Sequence, residues 1–272
     1  MKIDGKKIAQ EIIEKLKSQP KPEKIFAAIL AGDDKASESF LKQKEKIGKE
    51  LGIDFRIYRL SVELKNDDLR KEVLKIALLK KVGGVIVQLP LPEHINKHYI
   101  LNVIPREKDV DVMSERALGA FYAGRNSVLP PAVETLKEIL ERENFELKNK
   151  KVAVVGRGFL VGKPIAVWLT DKVKELTVFG KDGELAELKN YDFIITGVGK
   201  AGLINLEILK DGAGVVDFGY DFNEDGKIQG DLETNNLISQ ATNKLKFYTP
   251  TPGGTGPILV AKLFENFYKL NI

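Results

Sequence analysis

The chain has 272 residues, 43% of them apolar and 30% charged, with a formal net charge of +4 and a pI near 8.9; that length can bury one large core or two modest ones. Cysteine is absent, which excludes disulfides, thiol nucleophiles and cysteine metal sites, and no apolar run approaches the length of a membrane span. Lysines are spread beside glutamates rather than gathered in one block, so they read as a solvated surface and not as a nucleic-acid footprint.

Met1-Lys2-Ile3-Asp4-Gly5 has neither the apolar stretch nor the cleavage site of a signal peptide, so a cytoplasmic location is expected. Ile8, Ile12 and Leu16, with Ala9 and Ile13 alongside, give Lys7–Lys17 one apolar helix face that Pro20 and Pro22 end. Lys24–Leu30 reads as a buried strand, Ser37–Leu51 as a helix closed by Gly52, and Asp54–Leu60 as a second strand. Asn66-Asp67-Asp68 is expected to cap a helix through Leu69, Val73 and Ile76, after which Gly83-Gly84 lead into the strand Val85–Gln88 and Leu89-Pro90-Leu91-Pro92. This alternation predicts a mostly parallel sheet covered by helices. The stretch from Pro105 to Pro131 is weaker and carries Asp109-Val110-Asp111; a helix over Ala132–Asn144 bridges to a second unit.

That unit opens with the strand Lys151–Val155 and the turn Gly156-Arg157-Gly158-Phe159-Leu160-Val161-Gly162, followed by a helix from Lys163-Pro164. Proline suits a first helical turn, where its missing N–H costs nothing. Further strands are expected at Leu176–Phe179, Phe193–Thr196 and Gly214–Phe218, then a glycine- and proline-rich loop over Thr249–Pro257 and a helix over Ile258–Leu270. The turn is one residue longer than the usual G-x-G-x-x-G fingerprint, but it lies between a buried strand and a helix, the context that brings backbone N–H groups to a pyrophosphate. Dinucleotide binding and a purely structural glycine turn are the two readings, with the first favoured. Lys181 and Asp182 follow the second strand; a base there suits the phosphate of NADP and an acid the ribose of NAD. Arg157 adds a cation, which leans the reading to NADP and leaves NAD open.

In the second helix, Ser37, Phe40, Lys44, Ile47 and Leu51 share one face. An inward lysine must find a partner or lose its proton, which makes it a usable acid or base near neutrality; a lysine snorkelling from the helix edge satisfies the same spacing. His94 and His98 lack a third ligand nearby and read as surface residues, so no metal is expected. Trp168 and the phenylalanines are expected in the core.

Six segments together resemble the bifunctional methylenetetrahydrofolate dehydrogenase/methenyltetrahydrofolate cyclohydrolase family. They are Ile3–Ala9, the S-x-x-Y-x-x-x-K helix at Ser37–Lys44, Val87-Gln88-Leu89-Pro90-Leu91-Pro92, Lys108-Asp109-Val110-Asp111, the G-R-S-x-x-V-G-x-P turn at Gly156–Pro164, and the T-P-V-P-G-G-V-G-P loop at Thr249–Pro257. The resemblance implies an α/β protein of two domains: an N-terminal α/β catalytic domain at 1–133 with 255–272, and a Rossmann-type dinucleotide-binding domain with a parallel sheet at 134–254. It implies oxidation of 5,10-methylenetetrahydrofolate with NADP, then hydrolysis to 10-formyltetrahydrofolate, in a cytoplasmic homodimer serving one-carbon metabolism and purine biosynthesis, with the ligands in a cleft between the domains. Lys44 falls on the family's catalytic lysine, Gln88 on its partner, and Asp111 on the acid that binds the pterin. Ser37, Phe40, Leu89, Pro90, Pro252, Gly253 and Gly254 fall on substrate-binding positions. Gly156, Arg157, Gly158, Val161, Gly162, Lys181, Gly197 and Gly199 fall on cofactor-binding positions.

The chain departs from the family pattern at several of these places. Phe40 stands for a tyrosine, Val112 for a glycine and Gly158 for a serine. Pro130-Pro131-Ala132-Val133 stands for P-C-T-P, Arg116-Ala117 lacks an expected asparagine, and Thr255 stands for a valine. The lost Phe40 hydroxyl implies a weakened cyclohydrolase step. Two rival readings are a two-domain dehydrogenase with another substrate, such as a shikimate-like one, and a non-catalytic cofactor-binding relative.

Overall fold

The computed structural model describes residues 1–32, 34–234 and 243–272. The chain forms two compact units, Gln10–Pro131 with Val260–Ile272, and Met1–Ala9 with Ala132–Leu259. Among the described residues, no helix is long and apolar enough to cross a membrane.

The first unit is built on a parallel three-stranded sheet. Its strands are β1 (Ile25–Ala31), β2 (Phe55–Leu60) and β3 (Val82–Val87), in the order β2-β1-β3. All residues of β1 and β3 are buried, whereas none of β2 is; the central strand β1 is covered on both faces, as in parallel sheets with helices packed on them. The helices after β1 and β2 are α2 (Lys35–Glu50) and α3 (Asn66–Leu78). Asp34 caps α2 by accepting the Ser37 N–H at 2.7 Å. Asn66 does not cap α3, contrary to expectation. It is the helix's first residue, and its side chain instead donates to the His94 carbonyl and accepts the Asn96 N–H.

The strand expected at Val85–Gln88 begins three residues earlier, with Gly83 and Gly84 inside it. The reason lies at the far end of the chain. The last helix runs over Thr255–Asn271, three residues longer at its start than expected. A Cβ on Gly84 would sit 2.6 Å from the Phe267 ring, and one on Gly83 would collide with Asn271. The two glycines are the room that lets this helix lie on the strand. Phe26 then stacks on Phe267 with centroids 4.7 Å apart and meets Phe55 and Phe264 edge-on at 5.2 Å. A short helix, α4 (Lys97–Leu101), precedes the weakly patterned stretch, and another, α5 (Glu115–Tyr122), lies within it. Before all of these, α1 (Gly5–Lys17) starts two residues earlier than its apolar periodicity suggests.

The second unit holds a parallel sheet of β4 (Lys151–Val155), β5 (Glu175–Phe179), β6 (Phe193–Thr196), β7 (Gly214–Asp217) and β10 (Phe247–Tyr248), in the order β10-β7-β6-β4-β5. Strand order reverses at β4, which makes the carboxyl ends of β4 and β6 a topological switch point, the place where open α/β sheets bind ligands. Helix α6 (Pro131–Arg142) leads into the sheet and α7 (Gly162–Leu169) follows the glycine turn. Asp221–Phe222 (β8) and Ile228–Gln229 (β9) form an unexpected antiparallel pair closed by Gly226 in a left-handed turn.

Met1–Ala9 belongs with this second unit because Ile3 N–H bonds the Tyr248 carbonyl at 2.9 Å and Gly5 packs on the Gly254 backbone; the sequence reading groups these residues with the first. The core expectation fails outright for Phe222 and in part for Trp168, Phe40, Phe55, Phe159 and Phe218, which are only half-buried. Trp168 is half-buried with Lys172 Nζ 5.1 Å from its ring, and Phe222 is 56% exposed, edge-on to Tyr220. Both rings lie on short peripheral elements, where apolar character alone does not guarantee burial.

Candidate active site

Lys44, Gln88 and Asp111 come together in the first unit. Helix α2 starts behind its Asp34 cap, so the face carrying Ser37, Phe40 and Lys44 turns toward the end of β3; Ser37 is buried and the other two half-buried. Gln88 follows β3 directly. Its backbone N–H bonds the Ile29 carbonyl at 2.8 Å, and its side-chain Nε2 donates to the Leu89 carbonyl at 2.8 Å. That bond leaves Oε1 turned outward, where it accepts from Lys44 Nζ at 2.8 Å. Ser37 Oγ reaches the same Leu89 carbonyl at 3.5 Å, ahead of the cis Leu89–Pro90 bond.

Burial lowers the Lys44 pKa from its ordinary value, with the nearby Asp111 charge opposing the shift. Part of the lysine's surface stays exposed, but its ammonium end is desolvated, and that end decides the proton affinity. Asp111 is pushed up to about 6 by desolvation, held back by Lys44 and raised a little more by Asp109. The two charges act on one another, and Asp111 sits near the range where a proton can be given and taken at physiological pH, while burial makes Lys44 give up its proton more readily than a free lysine.

The frame around Asp111 is buried. Asp109 is 0% exposed and accepts from the Met113 and Ser114 N–H groups at 3.0 and 2.7 Å. Asn266, from the last helix, donates to the Val110 and Leu129 carbonyls at 2.9 and 2.8 Å. Val112 has φ 55°, a left-handed conformation that costs a β-branched residue about 1–3 kcal/mol and suits glycine. The sequence carried a signal for Asp109, within Lys108–Asp111, and none for Asn266, whose role depends on which helix packs beside the segment.

The glycine turn lies in the second unit, at the switch point. Gly156 has φ 103°, and a Cβ on Gly162 would strike the Gly156 carbonyl, so the first and last glycines let strand and helix close on one another. Gly197, after β6, faces this turn: a Cβ there would lie 2.7 Å from Val161. Nothing crowds Gly158, whose nearest neighbour to an added Cβ would be 3.9 Å away. Arg157 Nη2 donates to the Val178 carbonyl at 3.1 Å and its guanidinium lies against Gly180, while Lys181 is exposed at the end of β5. This close-packed glycine turn at a helix N-terminus, with cations at the end of β5, fits a dinucleotide pyrophosphate and a further phosphate.

Pro252, Gly253 and Gly254 also belong to the second unit; Pro252 follows a cis bond and Gly253 has φ 97°. Gly199 lies with Gly197 in the loop after β6, and its N–H, with those of Val198 and Lys200, is taken by the Asp231 carboxylate. Those three donors are therefore not offered to a ligand. His94 and His98 are exposed, and His94 Nε2 lies 3.2 Å from the Leu64 carbonyl.

Comparison with known proteins agrees with this layout. Residues 3–111 match the model of the tetrahydrofolate dehydrogenase/cyclohydrolase catalytic domain, and residues 130–271 match that family's NAD(P)-binding domain. The bifunctional protein FolD of Halothermothrix orenii is 35% identical over 277 residues, covering 98% of this chain and 96% of the relative. The solved FolD methylenetetrahydrofolate dehydrogenase/cyclohydrolase of Campylobacter jejuni superimposes with a TM-score of 0.93 at 32% identity, covering 100% of this chain and 98% of that one. A Trypanosoma brucei methylenetetrahydrofolate dehydrogenase-cyclohydrolase, solved with NADP and an inhibitor, gives a TM-score of 0.90 at 26% identity over 99% of this chain and 96% of that one.

Proposed function

The chain belongs to the tetrahydrofolate dehydrogenase/cyclohydrolase family, and from that membership we propose how its residues divide the work. The enzyme oxidises 5,10-methylenetetrahydrofolate to the 5,10-methenyl cation and hydrolyses the cation to 10-formyltetrahydrofolate. NADP⁺ supplies the hydride acceptor. Gly156, Gly162, Gly197 and the N-terminus of α7 hold its pyrophosphate, with Val161 packed beneath, Gly158 leaving the mouth open and Gly199 shaping the neighbouring loop. Arg157 and Lys181 favour the additional phosphate of NADP over the bare ribose of NAD.

In the first unit, Asp111 accepts the paired N–H donors of the pterin's aminopyrimidinone edge, an arrangement that a carboxylate suits. Lys44 Nζ takes the proton released as water adds to the methenyl carbon, and Gln88 Oε1 keeps Nζ oriented whether the amine is charged or neutral, since both forms donate N–H. Ser37, Phe40, Leu89 and Pro90 line the pterin, and Pro252, Gly253 and Gly254 contribute backbone groups to folate. The 2.8 Å bond from Lys44 to Gln88, beside an acid raised to about 6, is the observation that carries this reading. With Phe40 in place of a tyrosine, the hydrolysis step lacks one hydroxyl and runs more slowly than hydride transfer. A cytoplasmic homodimer feeding purine biosynthesis follows from the family resemblance.

The test is direct. Purified protein is mixed with 5,10-methylenetetrahydrofolate and NADP⁺, then NAD⁺, and absorbance is read before and after an acid quench. Reduced cofactor matched by free methenyl product is the expected result. Methenyl product appearing only after acid would show an intact hydrolysis step, and no reduction with either cofactor from folded protein would overturn the assignment.

A further inference from the structure

Two buried aspartates in the second unit take no part in the chemistry above, yet each anchors a loop that does. Asp231 is 0% exposed and accepts four hydrogen bonds: Thr196 Oγ1 at 2.6 Å and the N–H groups of Val198, Gly199 and Lys200 at 2.7, 2.9 and 2.8 Å. The loop after β6, which includes Gly197 and Gly199, is thereby folded around one carboxylate. Asp217, at the end of β7 and 1% exposed, accepts from the Gly219 N–H at 2.6 Å and the Leu232 N–H at 2.9 Å. The second acceptance joins it to the residue after Asp231.

The backbone of Asp217 is held from the proline-glycine loop. Its N–H donates to Thr249 Oγ1 at 2.7 Å, and its carbonyl accepts from Thr255 Oγ1 at 2.8 Å. Thr251 Oγ1 donates to the Gly219 carbonyl at 3.3 Å. Gly219 and Gly230 bring the two halves together, because a Cβ on Gly219 would strike Asp231 and one on Gly230 would strike Asp217. Thr251 and Thr255 stand where the family pattern quoted above has valines, which cannot make these bonds.

We propose that Asp217 and Asp231 are positioning residues that couple the loop after β6 to the loop Thr249–Thr255, with Thr251 and Thr255 carrying the coupling in this chain. The idea rests on the proposed function, which assigns the first loop to cofactor and the second to folate. A displacement of either loop is passed to the other through a continuous set of buried and part-buried hydrogen bonds, the kind of contiguous link through which coupling energy travels.

The experiment uses the full chain and measures two quantities: the Kd for NADP⁺ by calorimetry without folate, and the KM for 5,10-methylenetetrahydrofolate at saturating NADP⁺. Thr255→Val and the double substitution Thr251→Val/Thr255→Val are close to isosteric. They are expected to fold, with Tm lowered by a few degrees because backbone carbonyls lose their donors, and to raise the Kd for NADP⁺ by about three- to tenfold, the scale of one net hydrogen bond. Such a cross-effect, from a folate-side side chain onto cofactor binding in a protein still fully folded at the assay temperature, is one that a merely local contact does not produce. Asp231→Asn sets an amide N–H against donors and is expected to raise both constants. If Asp231→Asn fails to fold, the threonine variants still decide. A threonine variant that raises the folate KM and leaves the NADP⁺ Kd unchanged, or that changes neither, overturns the coupling while the proposed function stands. A folded wild-type protein that does not bind NADP⁺ overturns the proposed function and the coupling with it.

Discussion

At the scale of single residues, the chain carries the proposed pair Lys44 and Asp111 and departs from the family pattern around it. Lys44 is held by Gln88, and the lost hydroxyl at Phe40 is the departure closest to it in sequence on the same helix face. Phe40→Tyr is therefore expected to raise the rate of methenyltetrahydrofolate hydrolysis by about tenfold, within the range a single added polar contact gives in a transition state, with NADP⁺ reduction little changed; the acid-quench assay separates the two. Asp111 supplies the pH dependence. Its carboxyl is raised to about 6, so below that pH it is protonated and becomes a poor acceptor for the pterin N–H groups. The folate KM is expected to climb as pH falls through about 6 and stay flat above it, and Asp111→Asn should remove this pH-dependent limb. A wild-type KM indifferent to pH between 5 and 7 would sink the role given to Asp111. The helix face of Lys44, though not an inward rather than a snorkelling course for its side chain, was legible from spacing alone, because 37, 40, 44, 47 and 51 recur at helical intervals. Its partner was not, because the Gln88 contact spans 44 residues.

At the scale of elements, the glycines sort into those the packing demands and those it does not. Gly84 admits the Phe267 ring to the face of β3. Gly84→Ala forces an overlap in a close-packed region, so it is expected to cost about 1–3 kcal/mol, read as a lower denaturant midpoint at unchanged slope. Gly158→Ser restores the family residue at an uncrowded position and is expected to change stability by less than about 0.5 kcal/mol. A large loss there would mean that the turn needs glycine at all three places. Most long elements were legible from their periodicity. The β8–β9 pair and β10 were not, since two-residue strands carry no alternation to detect.

At the scale of the molecule, the buried carboxylates set a stability balance against pH. Asp217 is raised from 3.8 to about 7, first by burial and then by Asp231. The folded state therefore holds a proton that the unfolded chain gives up between those values, and from this group stability falls as pH rises through that window. Relative to the wild type, Asp217→Asn is expected to flatten the decline of Tm between pH 4 and 7; an identical slope in the variant would exclude Asp217 as its source. The sequence by itself determined the α/β class, the alternation of strands and helices, the glycine turn in its strand–helix context and the family pattern, because each is written in residues near one another in the chain. Only the tertiary structure decided that Gly83 and Gly84 lie within a strand, that Asn266 supports the segment before Asp111, that Met1–Ala9 packs with the second unit, and that two distant aspartates hold its loops. Each of these is a contact between segments far apart in sequence, fixed by packing and by the hydrogen bonds that most buried polar groups make, and no local pattern of residue types encodes it.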